Sequence, residues 1–363
     1  MGGSKVLALV AIAVVVYLGE VEGQPEAKFK CTTENATCRS LIGYSNPNGT
    51  TLGDIRSLFN VKHLLEILGA NNLPSNTTKT HKVGPNEVVR VPFPCKCTNN
   101  TGLSNALPLY KIKKGDTLYD IATTTFAGFL KYPQIQVANN LPDANNITAG
   151  GTLYIPLPCS CDALDGTAVL HYAHRVASGS SVDSIAQEFG TTSQILLDLN
   201  GITDPKSLEA GQILDVPLRA CSSSVKNTSF DSPLLVANAS YVYTANECVK
   251  CNCDSSNNYI LQCEPSHLKP TNWSVCPSAE CSSNVFIGNT TSIDACNRTT
   301  CAYTGYNSRN ITAELVTQDT CAVPPSGSGG STGSGASRIT FQGLLSNNLF
   351  ILIHLVLALV YVL

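Results

Sequence analysis

The stretch YKIKKGDTLYDIA, at residues 110–122, decides the fold. Tyr110 and Ile112 fall on one face of an extended segment, and residues 115–117 (Gly-Asp-Thr) indicate a turn. Thr117 stands three residues before Asp120, the spacing of a helix N-terminal capping box. The next apolar positions recur at helical period: Leu118, Ile121 and Ala122. The stretch therefore predicts a strand, a turn and a helix.

The residues that follow complete a small unit. A second helix is predicted from about Pro133 to Asn140, with Ile135 and Ala138 facing inward. Residues 153–155 predict a returning strand. Two strands that pair antiparallel, with two helices on one face, form a βααβ unit. The core of such a unit is too small to make the unit comfortably stable on its own.

This pattern occurs three times. The opening repeats as YSNPNGTTLGDI at 44–55 and HRVASGSSVDSIA at 174–186. The sequence ANNLP occurs at 70–74 and 138–142, and DLNGI holds that place at 198–202. Each copy closes on a short apolar strand that ends in proline: VRVP at 89–92, LYIP at 153–156 and LDVP at 214–217. The chain is therefore predicted to contain three tandem copies.

The two ends of the chain are predicted to be processing signals. Residues 1–23 have a charged start and a short apolar run, which predicts a secretory signal peptide cleaved after Gly23; an uncleaved anchor is the alternative. Residues 326–337 form a Gly/Ser linker, and 338–363 end in an apolar tail without a charged flank. These features predict a GPI anchor on Ser334 or Gly335, with 338–363 removed. A tail-anchored helix is the alternative.

Composition agrees with secretion. The sixteen cysteines lie between the two processed ends, as in an oxidising compartment. Eleven Asn-x-Ser/Thr acceptors predict a glycosylated surface; they are Asn35, Asn48, Asn76, Asn99, Asn146, Asn227, Asn238, Asn272, Asn289, Asn297 and Asn310. The net charge of −3 and 13% charged residues give no indication of a nucleic-acid surface.

Two Cys-x-Cys pairs end the first two copies, in VPFPCKC at 91–97 and IPLPCSC at 155–161. An i, i+2 bond in a strand is disfavoured because the two α-carbons stand about 7 Å apart. With Cys31 and Cys38, the six cysteines allow fifteen pairings. Zinc is the alternative, but His63 and His81 lie away from the pairs, so we expect disulfides and no metal or cofactor.

Residues 222–322 predict a second, disulfide-held module, in which CVKCNC at 248–253 serves as stapling rather than as a zinc knuckle. Trp273 is interpreted as a packing residue, with a sugar platform as the alternative. His171 and His174 resemble a ligand pair, but in a strand they point to opposite faces. We therefore expect them to be surface or edge residues.

The opening Y-x-[Ile/Val]-x-x-G-D-T-L-x-x-I-A and the closing L-x-I-P of the middle copy resemble LysM domains. Arg56 and Ser180 depart from the pattern in the first and third copies. Three such units divided by C-x-C, between a signal peptide and a GPI tail, resemble the plant LysM-domain GPI-anchored proteins. The stretch SYVYTANECVKCNC at 240–253 favours the peptidoglycan-binding branch of that family.

The resemblance implies an α+β fold: three tandem βααβ LysM units knotted by disulfides and a disulfide-rich C-terminal module. The expected boundaries are 24–107, 108–161, 170–221 and 222–325. The implied pairing is Cys31–Cys97, Cys38–Cys161 and Cys95–Cys159. The resemblance also implies a glycan groove in the middle copy, between loops 113–119 and 141–147; its candidate residues are Gly115, Asp116, Thr117, Leu141, Pro142, Asp143, Ala144 and Ile147.

By the same resemblance we expect a pattern-recognition receptor on the outer face of the plasma membrane, held by its GPI lipid. It would bind peptidoglycan, and chitin oligomers as well, and pass the signal to a LysM receptor-like kinase. We expect no enzymatic activity, since no paired-carboxylate or Cys–His arrangement is recognisable. A wall-attachment protein, or an accessory of a cell-wall hydrolase, is the alternative.

Overall fold

The computed structural model describes residues 29–292 and 297–319. The predicted signal peptide, linker, GPI site and tail lie outside the described residues, as do Cys296 and Cys321. Within the described part, none of the helices has both the length and the apolar character needed to cross a membrane.

The first segment, residues 37–98, runs strand, helix, helix, strand. Its elements are β1 (Thr37–Tyr44), β2 (Thr50–Thr51), α1 (Leu52–Leu58), α2 (Leu64–Ala70), β3 (Lys82–Val83) and β4 (Val89–Thr98). Thr51 caps α1 because its side chain accepts a hydrogen bond from the Asp54 backbone. Strands β1 and β4 pair antiparallel, from Thr37 opposite Lys96 to Tyr44 opposite Val89.

The second segment, residues 109–154, has the same order after a short strand β5 (Thr101–Ser104). Its elements are β6 (Leu109–Lys111), α3 (Leu118–Asp120), a π-helical turn (Ile121–Thr125), α4 (Tyr132–Ala138) and β7 (Thr152–Tyr154). Strands β6 and β7 pair antiparallel. The predicted cap is confirmed, since Thr117 accepts a hydrogen bond from the Asp120 backbone.

The third segment, residues 169–219, contains β8 (Val169–Arg175), α5 (Val182–Phe189), α6 (Ser193–Asn200), a 3-10 turn (Pro205–Ser207) and β9 (Ile213–Arg219). Strands β8 and β9 pair antiparallel. The sequence does not predict that β1 and β8 also pair, in parallel, at Leu41 opposite Tyr172. This pairing joins the first and third segments in one sheet of order β5-β4-β1-β8-β9.

A shared core joins the first two segments. Phe59 and Phe126 meet edge to face at 5.7 Å, and each also contacts the tyrosine of its own first strand, Tyr44 or Tyr110. All four rings are buried in one apolar cluster. Each small unit therefore uses its neighbour to bury aromatic area, and edge-to-face rings contribute about 0.5–1.5 kcal/mol per pair beyond that burial.

Three disulfides knot this part of the chain. They are Cys31–Cys97, Cys38–Cys161 and Cys95–Cys159, the same pairs that the resemblance implies. In β4, Cys95 and Cys97 are both buried while Lys96 between them is not, as strand alternation requires. The bonds close long loops, so each contributes roughly 3–5 kcal/mol in the chain-entropy account.

The C-terminal module is a set of short antiparallel sheets. Its strands are β10 (Ser240–Thr244), β11 (Val249–Cys253), β12 (Gln262–Pro265), β13 (Glu280–Ser282), β14 (Val285–Phe286), β15 (Thr290–Ser292), β16 (Asn297–Tyr306) and β17 (Ile311–Asp319). The stapling interpretation is confirmed, because CVKCNC cysteines form disulfides here; the bonds are Cys221–Cys253, Cys248–Cys276, Cys251–Cys263 and Cys281–Cys301. Trp273 packs partly buried against the module's core, as predicted.

One expectation is wrong. His171 is not a surface or edge residue but is 2% exposed, because the parallel partner β1 makes β8 an interior strand. Its ring lies beside Asp215, at 2.8 Å from Nδ1 to the carboxylate. His174 is half-buried and contacts the ring of Phe189.

Candidate functional site

The two predicted groove loops start from one end of the second segment's strand pair. Beyond β6, the Ile112 amide donates to the Gly151 carbonyl at 2.9 Å, and the Gly150 amide donates to the Ile112 carbonyl at 2.8 Å. Loop 113–117 follows Ile112 directly, and loop 141–147 leads into residues 148–151. The structure therefore brings the predicted loops to the same end of the segment.

The first loop is organised by Asp116. Its carboxylate accepts hydrogen bonds from the Tyr110 hydroxyl at 2.8 Å and from the Lys113 amide at 2.7 Å. Burial, with the neighbouring carboxylate, raises the pKa of Tyr110 to about 12. Gly115 has φ +92° and open space around it, and Thr117 caps α3. All three candidate residues in this loop have a local structural role, and Gly115 leaves room above the turn.

The second loop combines an apolar floor with an exposed rim. Leu141, Ala144 and Ile147 are partly buried against the main core, while Pro142 and Asp143 are exposed. Asp143 holds the rim in shape, because its carboxylate accepts a hydrogen bond from the Asn145 amide at 2.9 Å. This arrangement can offer apolar side chains and backbone polar groups to a neutral ligand.

An asparagine clamp fixes this loop, and sequence reasoning missed it. The Asn139 side chain donates to the Ile135 carbonyl at 2.8 Å and to the Tyr154 carbonyl at 2.7 Å. It also accepts from the Tyr154 amide at 2.8 Å. The clamp ties the end of α4 to β7 through three hydrogen bonds, each contributing about 0.5–1.5 kcal/mol.

The same clamp occurs in the other two segments. Asn71 bonds the Ile67 carbonyl and both backbone groups of Arg90. Asn200 bonds the Leu196 carbonyl and both backbone groups of Asp215 in the same way. The asparagine repeated in ANNLP, ANNLP and LNG was the signal that could have revealed it. The clamp defines equivalent positions: Asn71, Asn139 and Asn200, and two residues before them Gly69, Val137 and Asp198.

The first segment differs from the second in what covers its second helix. A Cβ atom on Gly69 would stand 2.1 Å from the Tyr241 carbonyl oxygen, so β10 lies directly against α2. The Tyr241 hydroxyl donates to the Leu73 carbonyl at 2.5 Å, and Glu247 contacts His63 at 3.3 Å. At the position equivalent to Gly69, Val137 is 76% exposed. The helix face that the module covers in the first segment is therefore open in the second.

The third segment contains a buried pair of ionisable groups. His171 Nδ1 faces the Asp215 carboxylate, and its Nε2 lies 2.8 Å from the Asp162 carbonyl oxygen. Two acceptors require two N–H donors, so the ring is held as the imidazolium. Burial alone would lower the pKa of His171, but the Asp215 charge and the hydrogen bonds raise it. Burial lowers the pKa of His174 to about 4, so that ring stays neutral.

The glycosylation acceptors are mostly accessible. Nine of the eleven are exposed; they are Asn35, Asn48, Asn76, Asn99, Asn146, Asn227, Asn272, Asn289 and Asn310. Asn238 is partly buried, and its side chain accepts a hydrogen bond from the Ser255 amide at 2.8 Å. Asn146 lies on the rim of the second groove loop, so a glycan there would restrict one approach to the groove.

Neither of two other features competes with the groove. The sulfurs of Cys38, Cys95 and Cys161 lie within 4.8 Å of one another, but all three are in disulfides and are not metal ligands. A cleft of about 590 Å³ lies at the disulfide knot, with Thr33, Asp162 and Leu235 among its lining residues. Its lining includes none of the predicted groove residues.

Comparison with known proteins places these observations in a family. The LysM domain family matches residues 110–156 and 174–217. The "LysM domain-containing GPI-anchored protein 2" of Arabidopsis thaliana is 48% identical over 80% of this chain and 82% of its own length. The "Chitin elicitor-binding protein" of Oryza sativa subsp. japonica is 41% identical over 84% of this chain and 85% of its own.

A solved structure titled "Crystal structure of the ectodomain of a receptor like kinase" is 27% identical, with a TM-score of 0.43; the match covers 52% of this chain and 94% of that one. The "LysM domain-containing GPI-anchored protein 3" of Arabidopsis thaliana is 32% identical over 81% of this chain and 70% of its own length. The chain belongs to the LysM domain-containing GPI-anchored proteins of the plant cell surface.

Proposed function

We propose that this protein is a cell-surface receptor that binds N-acetylglucosamine-containing glycans through the groove of its second LysM unit. The observation that carries the proposal is the pair of loops 113–117 and 141–147, which leave one end of the β6–β7 pair in a matched LysM domain. A relative of similar length is named for chitin elicitor binding. Both observations support a glycan ligand rather than a catalysed reaction.

We propose that residues 24–107 form a divergent first unit beside the units at 108–161 and 170–221, with the cysteine-rich module at 222–325. The asparagine clamp supports this division, because Asn71 makes the same three bonds as its counterparts in the two matched units. The helix cap at Thr51 supports it as well, since Thr117 caps the same helix in the second unit. All three units would then share one backbone frame.

The chemistry of the second unit's loops fits a neutral acetamido sugar. Leu141, Ala144 and Ile147 offer apolar contacts for the acetyl methyl group, and they are partly buried already. Backbone N–H and C=O groups of residues 115–117 and 142–143 can hydrogen-bond the amide and hydroxyls of the sugar. Neutral partners of this kind avoid the desolvation cost of a buried charge.

The ligand class includes chitin oligomers and peptidoglycan fragments, which both contain β-1,4-linked N-acetylglucosamine. A long polymer could engage two receptors, and linked binding of this kind raises avidity without a new contact. A GPI lipid reaches only the outer leaflet, so a signal needs a partner that spans the membrane. We propose a LysM receptor-like kinase as that partner.

The test is calorimetric titration of the full-length protein, solubilised from cells, with chitin and peptidoglycan oligomers of defined length. The variant Leu141→Asp/Ile147→Asp should lower affinity at least tenfold, because a carboxylate in the apolar floor stays unpaired. Leu73→Asp is the matched control, since Leu73 holds the position of Leu141 in the first unit. Unchanged affinity in the double variant would refute the proposed groove, and release of shorter oligomers from the ligand would refute a binding-only role.

A further inference from the structure

A cluster of three aromatic rings lies at the surface of the C-terminal module. The aromatic cluster consists of Phe230, Trp273 and Tyr306, with ring centroids 5.6 Å apart for Phe230–Tyr306 and 6.0 Å for Trp273–Tyr306. Phe230 is 66% exposed and the other two are partly buried. Grouped apolar rings at a surface mark a contact with something outside the fold.

The aromatic cluster is fixed to one hairpin. Trp273 Nε1 donates to the Ser308 carbonyl at 3.0 Å, and the Phe230 amide donates to the Tyr306 carbonyl at 3.2 Å. Tyr306 is the last residue of β16 and pairs with Ile311, the first residue of β17. Trp273 and Tyr306 therefore lie next to the loop 307–310 that joins the two strands, and Phe230 packs on Tyr306.

That loop ends in a glycosylation acceptor. Asn310 is exposed, and its carbonyl accepts a hydrogen bond from the Asn307 amide at 3.0 Å, which keeps the loop tight. Consecutive α-carbons are about 3.8 Å apart, so Asn310 lies within about 8 Å of Ser308, the residue that Trp273 holds. The first sugar on Asn310 is therefore within reach of the aromatic cluster.

Two other acceptors lie close in sequence but are less suited. Asn272 adjoins Trp273, yet its amide donates to the Asn246 side chain at 2.8 Å and is directed there. Asn227 precedes Phe230 by three residues in the sequence. Asn310 alone of the three lies in the loop that Trp273 contacts.

We propose that the first N-acetylglucosamine of an N-glycan on Asn310 packs on the aromatic cluster and covers it. One face of a pyranose ring presents C–H groups, which are attracted to the negative face of an aromatic ring. Covering the rings also removes apolar area from water. The module thus binds a sugar of its own chain, and this surface is separate from the groove of the second LysM unit.

The protein carries a built-in reporter, because Trp273 is its only tryptophan. Acrylamide quenching of tryptophan fluorescence therefore measures access to the aromatic cluster directly. In the full-length chain produced in eukaryotic cells, Asn310→Gln should raise the quenching constant about twofold, because a ring that loses its cover becomes open to solvent. The control Asn289→Gln removes a glycan beside β15, which pairs with β16 about six residues from Tyr306, and should leave the constant unchanged.

Trimming the wild-type glycans enzymatically gives a test that does not depend on a variant folding. Endoglycosidase H leaves one N-acetylglucosamine and should preserve the low quenching constant, whereas complete removal of the glycans should raise it. Equal constants in all three forms, or an Asn310 found unglycosylated by mass spectrometry, would overturn the proposal. Protection of Trp273 in the deglycosylated protein by free chitin oligomers would overturn it as well, since the aromatic cluster would then be an external ligand site.

Discussion

The first and second segments share one backbone frame and differ in what covers it. Each has a threonine cap and an asparagine clamp with the same hydrogen bonds. In the first, strand β10 of the C-terminal module lies against helix α2 at Gly69. In the second, the equivalent Val137 is open to solvent.

The two segments therefore make different contacts with the rest of the molecule, although their backbones are alike. In the first segment, helix α2 packs against the C-terminal module, and strand β1 pairs with β8 of the third segment in the shared sheet. The first segment therefore contacts both the module and the third segment. The second segment pairs only its own two strands and leaves its helix and loops accessible. The accessible helix and loops support the proposal that the second segment binds the ligand.

Removing one of the two disulfides that join the first segment to the stretch after β7 should have the largest effect. Cys95→Ser with Cys159→Ser opens a disulfide that spans 64 residues, which should lower the free energy of unfolding by about 4 kcal/mol. Opening Cys251–Cys263, with a span of 12, should cost about 3 kcal/mol. Urea unfolding measures both, and a larger loss from the shorter loop would contradict the chain-entropy explanation.

Substitutions at the equivalent helix positions, Gly69 and Val137, test whether the module covers the first segment and leaves the second open. Gly69→Val introduces a side chain that would overlap the Tyr241 carbonyl, so we expect a loss of about 3 kcal/mol. The reverse change, Val137→Gly, should cost only about 1 kcal/mol, because it alters helix propensity at an exposed site. Thermal unfolding of the secreted variants is the measurement. Similar losses would mean that the module does not rest on α2.

Breaking the clamp should affect the two segments equally. Asn71→Ala and Asn139→Ala each remove three hydrogen bonds and leave backbone groups unpaired, for a loss of about 2 kcal/mol each. Asn145→Ala, in the exposed loop, is the control and should cost less than about 0.5 kcal/mol. Losses that differ by more than the control value would show that the clamps are not equivalent.

The third segment adds a smaller, pH-dependent term. Because the pKa of His171 is raised in the folded state, the stability that its pair with Asp215 contributes is complete below pH 6.5. It is lost as the pH rises through the raised folded value, at up to about 1.4 kcal/mol per pH unit. His171→Asn should abolish this loss in urea unfolding between about pH 7.5 and 9. That window lies above 6.5, the ordinary pKa of histidine, and burial lowers the folded-state pKa of His174 to about 4, so His174 is neutral in both the folded and the unfolded state there.

Local features of this fold could be predicted from the sequence. The Thr117 cap depends on neighbouring residues, and the cysteine spacing and strand alternation are equally short-range. The sequence predicts helix α4 over about 133–140, and the helix runs from Tyr132 to Ala138, with Pro133 in its first turn. Features that depend on residues only a few positions apart can therefore be predicted from the sequence alone.

Long-range pairings could not be predicted. The β1–β8 contact joins residues about 130 positions apart, and it changed His171 from an expected surface residue into a buried cation. The contact between Gly69 and Tyr241 joins two distant parts of the chain, and no sequence pattern indicates that they pack together. The loops of the candidate groove were predicted from the repeat and the family resemblance, but the clamp that fixes them was not.

The most direct test of the central claim is a titration of matched variants with chitin and peptidoglycan oligomers. Leu141→Asp/Ile147→Asp alters the open second unit, and Leu73→Asp alters the covered first unit at the equivalent position. We predict that the second-unit variant loses at least tenfold in affinity, about 1.4 kcal/mol, while the first-unit variant keeps wild-type affinity. Loss of binding in the first-unit variant with retention in the second would contradict the assignment of the ligand to the open unit.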